Sequence, residues 1–209
     1  MPAPDQILAA LADLANQWKT LAIVWHVYFI ALIAMLFFLH PSRRLMGILL
    51  SLPLLSVSAL AWSSGNPFNG GLFALAAIAM LILAFRLSGE PVDWAPTWVA
   101  AAGAAMFVFG WVYPHFLNTP SFVPYLYAAP VGIVPCPTLS IVIGVALMLD
   151  GLESRGWSLV LAAMGIFYAL FGALRLGVTI DLVMLLGALL LAAVVLMHGT
   201  TARKQVLAH

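Results

Sequence analysis

The feature that most constrains this chain is a succession of long apolar runs that carry almost no charged side chains. Seven such runs lie at 20–39, 45–62, 71–85, 98–111, 133–149, 157–174 and 180–197. Hydrophobic residues make up 65% of the 209 residues and charged residues only 7%, whereas about 25% of the residues of a soluble domain are charged. Because a helix of about 20 apolar residues can cross a bilayer, the sequence predicts an integral membrane protein.

The fold class that follows is all-α: a polytopic membrane helix bundle over residues 20–198, with six or seven transmembrane helices. The preceding segment, 1–19, is too polar to cross, and its apolar side chains recur at helical spacing: Ile7, Leu8, Leu11, Leu14 and Trp18. This pattern predicts an N-terminal amphipathic helix in the membrane interface. Residues 199–209 are expected to form a short cytoplasmic tail. In the fourth run, alanines four residues apart, such as Ala100 and Ala104, are expected to let helices approach closely.

The distribution of cationic residues predicts the orientation, since cytoplasmic loops are enriched in lysine and arginine. Seven crossings would place six cations on the side of the first loop: Arg43, Arg44, Arg86, Arg155, Arg203 and Lys204. Lys19 and Arg175 would face the other side. We therefore expect a multi-pass protein of the cell membrane, in a bacterium the inner membrane, with the N-terminus outside and the C-terminus cytoplasmic if there are seven spans. The net charge of +1 gives no basic surface for nucleic acid, so the lipid bilayer is the expected partner.

The fifth run contains three prolines around the only cysteine of the chain, in the sequence YAAPVGIVPCPT at 127–138. Proline lacks an N–H donor and clashes with the preceding helical turn, but it suits the first turn of a helix. We therefore expect a half-helix with Cys136 as its N-cap that ends near Leu149. At about 1.5 Å per residue it would span about 20 Å, less than the hydrocarbon thickness of about 30 Å. Since non-helical backbone at membrane depth must be satisfied by protein or by a water-filled cavity, the break predicts a polar pocket.

Polar and ionisable side chains beside the runs are the candidate lining of this pocket, because each would be costly in hydrocarbon. Under the expected topology they lie in the outer half of the protein: Cys136, Thr138, His26, Tyr113, His115, Arg175 and Asp181, with Asn66 and Asn69 in a nearby turn. The first N–H groups of the half-helix would favour an anion or a Cys136 thiolate, whereas carbonyl groups freed by the prolines would favour a cation. The sequence does not choose between the two.

Each candidate also has a structural interpretation. A single cysteine cannot form an internal disulfide and often packs as a small apolar side chain, so this interpretation stays open for Cys136 beside the functional one. The structural interpretation of His26 is a hydrogen-bonded packing residue, and this interpretation is favoured over a functional one. For His115 the favoured structural interpretation is an interfacial residue in contact with water. Arg175 and Asp181 are expected to pair, because either charge alone would be costly, and the pair can be a structural staple or part of a site.

Three stretches of the chain carry a resemblance to a known group of proteins: GWVYP at 110–114, GIVPCPT at 132–138 and the turn from Gly177 to Asp181. The whole chain resembles an uncharacterised family of small bacterial integral membrane proteins, and the Pro-Cys-Pro-Thr element is the most specific part of the likeness. The resemblance implies a membrane fold of six or seven helices and supplies no activity. The PCP element is also similar to a break in nickel and cobalt exporters, but their histidine-rich loop and acidic-histidine motif are absent here, so no metal specificity carries over.

These features favour one function and leave a second open. Because discontinuous helices mark the binding site of many transporters, we expect a permease or exporter for a small solute or ion, with a polar pocket on the outer side. The alternative is an accessory or assembly subunit that docks on membrane partner subunits through its outer loop, 113–130. An enzyme is not expected, since no nucleophile–base pair and no metal triad has a recognisable spacing. The sequence identifies no cofactor.

Overall fold

The computed structural model describes the backbone of residues 3–206 and the side chains of residues 3–197. These residues fold into helices joined by turns, which confirms the all-α prediction. The helices in chain order are α1 Pro4–Gln17, α2 Lys19–Phe38, α3 Arg43–Ser63, α4 Pro67–Phe85, α5 Thr97–Val112, α6 Tyr125–Ala128, α7 Pro135–Met148, α8 Arg155–Leu170 and α9 Asp181–Val206. A short 3₁₀ turn, Asp150–Glu153, precedes α8, and a π-helical turn, Phe171–Arg175, extends it.

Each of the seven apolar runs forms a helix. Four of the helical stretches are long and apolar enough to cross a membrane: Lys19–Phe38, Arg43–Ser63, Pro67–Phe85 and Arg155–Arg175. Three further apolar helices are shorter, namely Thr97–Val112, Pro135–Met148 and Asp181–Met197. The four long helices are consistent with the membrane protein that the composition predicts.

Polar caps explain why several helices begin a few residues before the apolar runs. The Ser42 hydroxyl accepts the N–H of Leu45 at 3.2 Å and starts α3. The Asn66 side chain accepts the N–H of Asn69 at 3.1 Å and starts α4, with Pro67 in the first turn. Such caps satisfy N–H groups that have no acceptor inside the helix. The predicted role of Asn66 as a turn residue is therefore confirmed, whereas Asn69, predicted to lie in the same turn, is in the first turn of α4.

Contacts between loops define the two ends of the bundle. At one end, called the Arg43 end, the Arg43 guanidinium bonds the carboxylates of Glu90, Asp93 and Glu153 at 3.4, 3.0 and 2.5 Å. These ion pairs join the start of α3 to the α4–α5 loop and to the α7–α8 turn. The opposite end, called the cavity end, holds α1, the α3–α4 turn, residues 113–134 and the α8–α9 turn. All helices from α2 to α9 except the one-turn α6 therefore run alternately between the two ends.

Helix α7 lies at the centre of the bundle. All of its residues except Cys136 are buried, as expected of a helix that is apolar on every side. Its close contact with α5 depends on glycine, because a Cβ atom at Gly103 would lie 2.7 Å from the carbonyl oxygen of Gly144. Ala104, which was expected to mediate such an approach, is exposed. That expectation was wrong: the neighbouring glycine, not the alanine, faces α7.

Helix α1 packs over the cavity end. Four residues of its predicted apolar stripe face the protein, with Leu14 buried and Ile7, Leu8 and Leu11 half-buried, whereas Trp18 at the end of α1 is exposed. The Asn16 side chain holds this helix to the segment 113–134, since its amide nitrogen donates to the Phe116 carbonyl at 2.9 Å and its oxygen accepts the N–H of Asn118 at 3.0 Å.

The predicted C-terminal tail, 199–209, is helical as far as the structure describes it, because α9 continues to Val206. Residues 207–209 of that tail lie outside the described residues, as do residues 1 and 2 of the predicted N-terminal segment.

Candidate functional site

The proline-rich segment before α7 is non-helical, as the prolines predict. Residues 129–134 form turns and are buried inside the protein. The expected start of α7 needs a correction: its N-cap is Val134 rather than Cys136, and Pro135 and Pro137 both lie in its first turn. The physical reason is that first-turn N–H groups have no intrahelical acceptor, so two prolines there remove no helical hydrogen bond.

Two hydroxyl side chains bond backbone groups of this segment. The Thr138 hydroxyl accepts the N–H of Gly132 at 2.8 Å and donates to the Val134 carbonyl at 2.7 Å. The Ser56 hydroxyl donates to the Gly132 carbonyl at 2.6 Å and accepts the indole N–H of Trp25 at 3.1 Å. Thr138 is therefore part of the scaffold of the break and does not line the cavity at the start of α7. Both backbone groups of Gly132 and the carbonyl of Val134 are thus bonded within the protein.

The start of α7 is also poorly equipped to bind an anion. Of its first three residues, only Cys136 has an N–H group, because Pro135 and Pro137 have none. The N–H of the N-cap, Val134, donates to the Pro130 carbonyl at 3.1 Å. An anion site at a helix start needs several free N–H groups. The sequence left open whether an anion or a cation binds at the start of this half-helix. With one backbone N–H group in its first three residues, the start of α7 gives little support to an anion.

A cavity of about 640 Å³ lies between α1 and the first turn of α7. Its volume is within the range of about 300–1,000 Å³ that is typical of small-molecule sites. Helix α1 covers it with Gln6, Ile7, Ala10, Leu11 and Leu14. Much of the remaining wall is apolar and includes five aromatic side chains: Phe68, Phe116, Phe167, Tyr168 and Phe171.

A smaller set of polar side chains completes the cavity wall. Three predicted pocket residues are among them, Cys136, Arg175 and Asp181, together with Asn66 and Asn69. Cys136 is half-buried, Asp181 is buried and Arg175 is exposed at the rim. The structure therefore brings together these five residues from the α3–α4 turn, α4, α7, the π turn and α9.

Asp181 is the centre of a buried hydrogen-bonded cluster. One carboxylate oxygen accepts the Tyr113 hydroxyl at 2.6 Å, and the other accepts the Cys136 thiol at 3.2 Å. Burial raises the pKa of Tyr113, which keeps the phenol protonated as a donor. The second oxygen also lies against Gly172, where a Cβ atom would overlap it. Tyr113 is thus not on the cavity wall but supports a residue that is.

The expected ion pair between Arg175 and Asp181 was wrong. Among the described side chains no ion pair involves Asp181, and its two bonds come from uncharged donors. The physical reason is that the π-helical turn Phe171–Arg175 leaves the Arg175 side chain exposed. The buried carboxylate is stabilised by the phenol and the thiol instead.

Neither of the two predicted histidines lines the cavity. His26 is buried, and its ring nitrogens lie 2.8 Å from the Ala22 carbonyl and 3.1 Å from the Trp111 carbonyl, so it joins α2 to α5. His115 packs edge-on against Phe116 with ring centroids 4.4 Å apart. Partial burial lowers the pKa of His115, which favours the neutral ring at neutral pH.

The cavity also contains residues that sequence reasoning did not select. The Tyr168 hydroxyl donates to the Asn69 side chain at 3.0 Å and joins α8 to α4 at the wall. Phe167, Tyr168 and Phe171 recur at helical spacing along α8, which is the one local signal that could have indicated an aromatic wall. The contribution of α1 had no such signal, because an amphipathic stripe fits a membrane surface equally well.

Comparison with protein-family models, with curated proteins and with solved structures finds no match. The fold and the cavity define the class by themselves: an all-helical bundle, with four helices that could cross a membrane, that holds a cavity of small-molecule size beside a buried carboxylate. The resemblance to an uncharacterised bacterial membrane family stays a prediction.

Proposed function

We propose that this chain is a seven-span protein of the bacterial inner membrane that binds a small solute in the cavity and acts as its permease or exporter. The seven apolar helices that run alternately between the two ends of the bundle support the span count. The cavity end would face outward, because Arg43, Arg44, Arg86 and Arg155 lie toward the other end. Helix α7, short and surrounded by protein, would be the discontinuous helix beside the binding site.

The observation that carries this proposal is the cavity itself. It is large enough for a small molecule, it has an apolar wall with a few polar groups, and one of these is a buried carboxylate. Such a combination is the usual composition of a small-molecule site. A buried ionisable side chain among membrane helices, such as Asp181, is also a candidate functional residue by default.

Two irregular segments border the cavity and would supply the movement that transport requires. Residues 129–134 are non-helical and lead directly to Cys136, and the π-helical turn Phe171–Arg175 contributes to the wall. Irregular turns of this kind recur at functional sites because they change conformation more readily than a regular helix. We propose that α7 and α8 move at these two points when the cavity exchanges its solute.

The orientation and the access to the cavity can be tested with the single thiol of the chain. A membrane-impermeant maleimide should label Cys136 in right-side-out vesicles and leave it unlabelled in inverted ones. Cysteine-free C136S serves as the control for background labelling. Labelling from the inverted side alone, or full labelling only after unfolding, would contradict an outward-opening cavity.

A second candidate function is an accessory or assembly subunit of a membrane complex. It is favoured by an exposed group of large apolar side chains in and beside α6: Phe122, Val123, Leu126 and Tyr127. Exposed apolar patches of this kind often mark contacts between proteins. Native mass spectrometry of the chain purified in mild detergent separates the two functions. A homogeneous chain that retains a small solute supports the permease, whereas a stoichiometric foreign polypeptide supports the subunit.

A further inference from the structure

We infer that the cavity selects a small organic cation, a protonated amine on an apolar body. This inference rests on the proposed solute-binding function and specifies its ligand class. Three features of the cavity lead to it: the charge of the Asp181 cluster, the aromatic wall, and the hydrogen bond that Cys136, on the cavity wall, donates to the carboxylate.

The first feature is a negative charge without a positive partner. Both carboxylate oxygens of Asp181 accept a hydrogen bond, from Tyr113 at 2.6 Å and from Cys136 at 3.2 Å. Each carboxylate oxygen therefore has one uncharged group within hydrogen-bond distance, and an ionised carboxylate, which only accepts, fits both contacts. Phenol and thiol are neutral donors, and a thiol is a weak one. The cluster therefore keeps a net negative charge in a region where an unpaired charge is costly.

The surroundings of Asp181 offset only part of that charge, since Asp181 begins α9 and the N-terminus of a helix carries about half an elementary positive charge. No ion pair reaches it among the described side chains. The first turn of α7 contributes little positive potential at its surface, because Pro135 and Pro137 remove two of its N–H groups. Arg175 is exposed at the rim, where solvent and salt screen its charge. A ligand with a positive group would therefore gain more from this cavity than a neutral or an anionic one.

The second feature is the aromatic wall. Five rings line the cavity: Phe68, Phe116, Phe167, Tyr168 and Phe171. The face of an aromatic ring attracts a cation within about 6 Å of its centroid, and the attraction is greater where water is excluded. The same rings bind the apolar body of a ligand. The wall thus suits both parts of an amine that carries a hydrocarbon group.

The third feature is how the ammonium group would reach the carboxylate. Asp181 borders the cavity but is fully buried, and the Cys136 side chain, which is half-buried and also lines the cavity, donates to its second oxygen. A rotation about the Cα–Cβ bond of Cys136 would free this oxygen. An ammonium N–H would then replace the thiol, which is a weak donor, and both partners of the new bond would be charged.

The ligand class can be tested with three probes that share one apolar body: 4-phenylbutylamine, 4-phenylbutanol and 4-phenylbutyrate. We expect the amine to bind the purified chain at least about tenfold more tightly than the alcohol at neutral pH, and the carboxylate to bind most weakly. Binding is measured by calorimetry in detergent. Asp181→Asn should abolish the advantage of the amine over the alcohol, whereas Asp13→Asn, the same change on the exposed face of α1, should preserve it.

The outcomes separate this inference from the function on which it rests. If the alcohol binds as tightly as the amine, the cation selectivity is refuted while a solute cavity remains. If none of the three probes binds, the inference and the proposed solute cavity are refuted together. The ranking of the probes on the native chain decides the question even if Asp181→Asn does not fold.

Discussion

The anchor of α1 gives the sharpest test of how the cavity is closed. Asn16 makes two hydrogen bonds across the gap between α1 and the segment 113–134, one to the Phe116 carbonyl at 2.9 Å and one from the Asn118 N–H at 3.0 Å. A third bond, from Asn16 to the Ala12 carbonyl at 2.7 Å, lies within α1 and is present whether α1 is closed or open. Asn16→Ala therefore removes two bonds that hold the cavity closed.

The expected magnitude follows from these two bonds. Each contributes about 0.5–1.5 kcal/mol net, so the closed position of α1 loses about 1–3 kcal/mol. The population with α1 open should then rise about 5- to 150-fold. Because Cys136 is the only thiol of the chain and faces the cavity, its rate of reaction with a bulky maleimide reports this population when closing is faster than labelling.

The matched control is Gln17→Ala, which removes an amide from the exposed surface of the same helix. It should leave the labelling rate of Cys136 within about twofold of the native chain, since surface substitutions change stability by at most about 0.5 kcal/mol. Equal labelling rates of Asn16→Ala and Gln17→Ala, with complete labelling of both after unfolding, would refute the idea that α1 covers the cavity.

Three further predictions concern the scaffold and are measured as free energies of unfolding in mixed micelles. Thr138→Val should cost about 2–5 kcal/mol, because two buried backbone groups lose their partner, whereas Thr138→Ser keeps the hydroxyl and should cost less than half as much. Gly172→Ala should destabilise the chain by more than about 2 kcal/mol, since its Cβ atom would overlap the buried carboxylate of Asp181. Its control is Gly177→Ala, where the Cβ atom would meet open space but the backbone has a φ of +73°, so the cost should be only about 1 kcal/mol. Gly103→Ala should cost about 1–3 kcal/mol because α5 and α7 would move apart, while exposed Ala104→Val should stay within about 0.5 kcal/mol. Equal effects within any of these pairs would contradict the packing described.

The helices could be predicted from the sequence because their cause is local. Each apolar run became a helix, and the caps Ser42 and Asn66 stand at the start of α3 and α4 where their side chains accept a backbone N–H. The proline break could also be predicted locally, because proline has no N–H donor. The exact start of α7 could not be predicted, because its N-cap is Val134. Val134 is an apolar residue with extended backbone angles, and nothing in its side chain indicates a capping role.

The site could be predicted only in part, since its contacts join distant parts of the chain. Cys136 and Asp181 are 45 residues apart, and Tyr113 and Asp181 are 68 apart. The sequence suggested all three as pocket residues from their polarity, but it could not show that two of them bond the third. It instead favoured the short-range pair of Arg175 with Asp181, but Arg175, at the end of the π-helical turn, is exposed and forms no ion pair with Asp181. Local reasoning therefore found the residues and missed their partners.

The bonds of Asn16 that close α1 and the bond of Cys136 to Asp181 should control different properties of solute binding. We expect the Asn16 bonds that hold α1 closed to form equally in the empty and in the occupied closed states. They then cancel from the affinity and affect the rates of entry and exit. The thiol bond of Cys136 to Asp181 is lost when an ammonium group replaces it, so it enters the affinity directly. Asn16→Ala should therefore accelerate association and dissociation of 4-phenylbutylamine by similar factors, whereas Asp181→Asn should weaken its affinity. An Asn16→Ala variant that changed the affinity and not the rates would show that α1 is part of the binding surface and not only its cover.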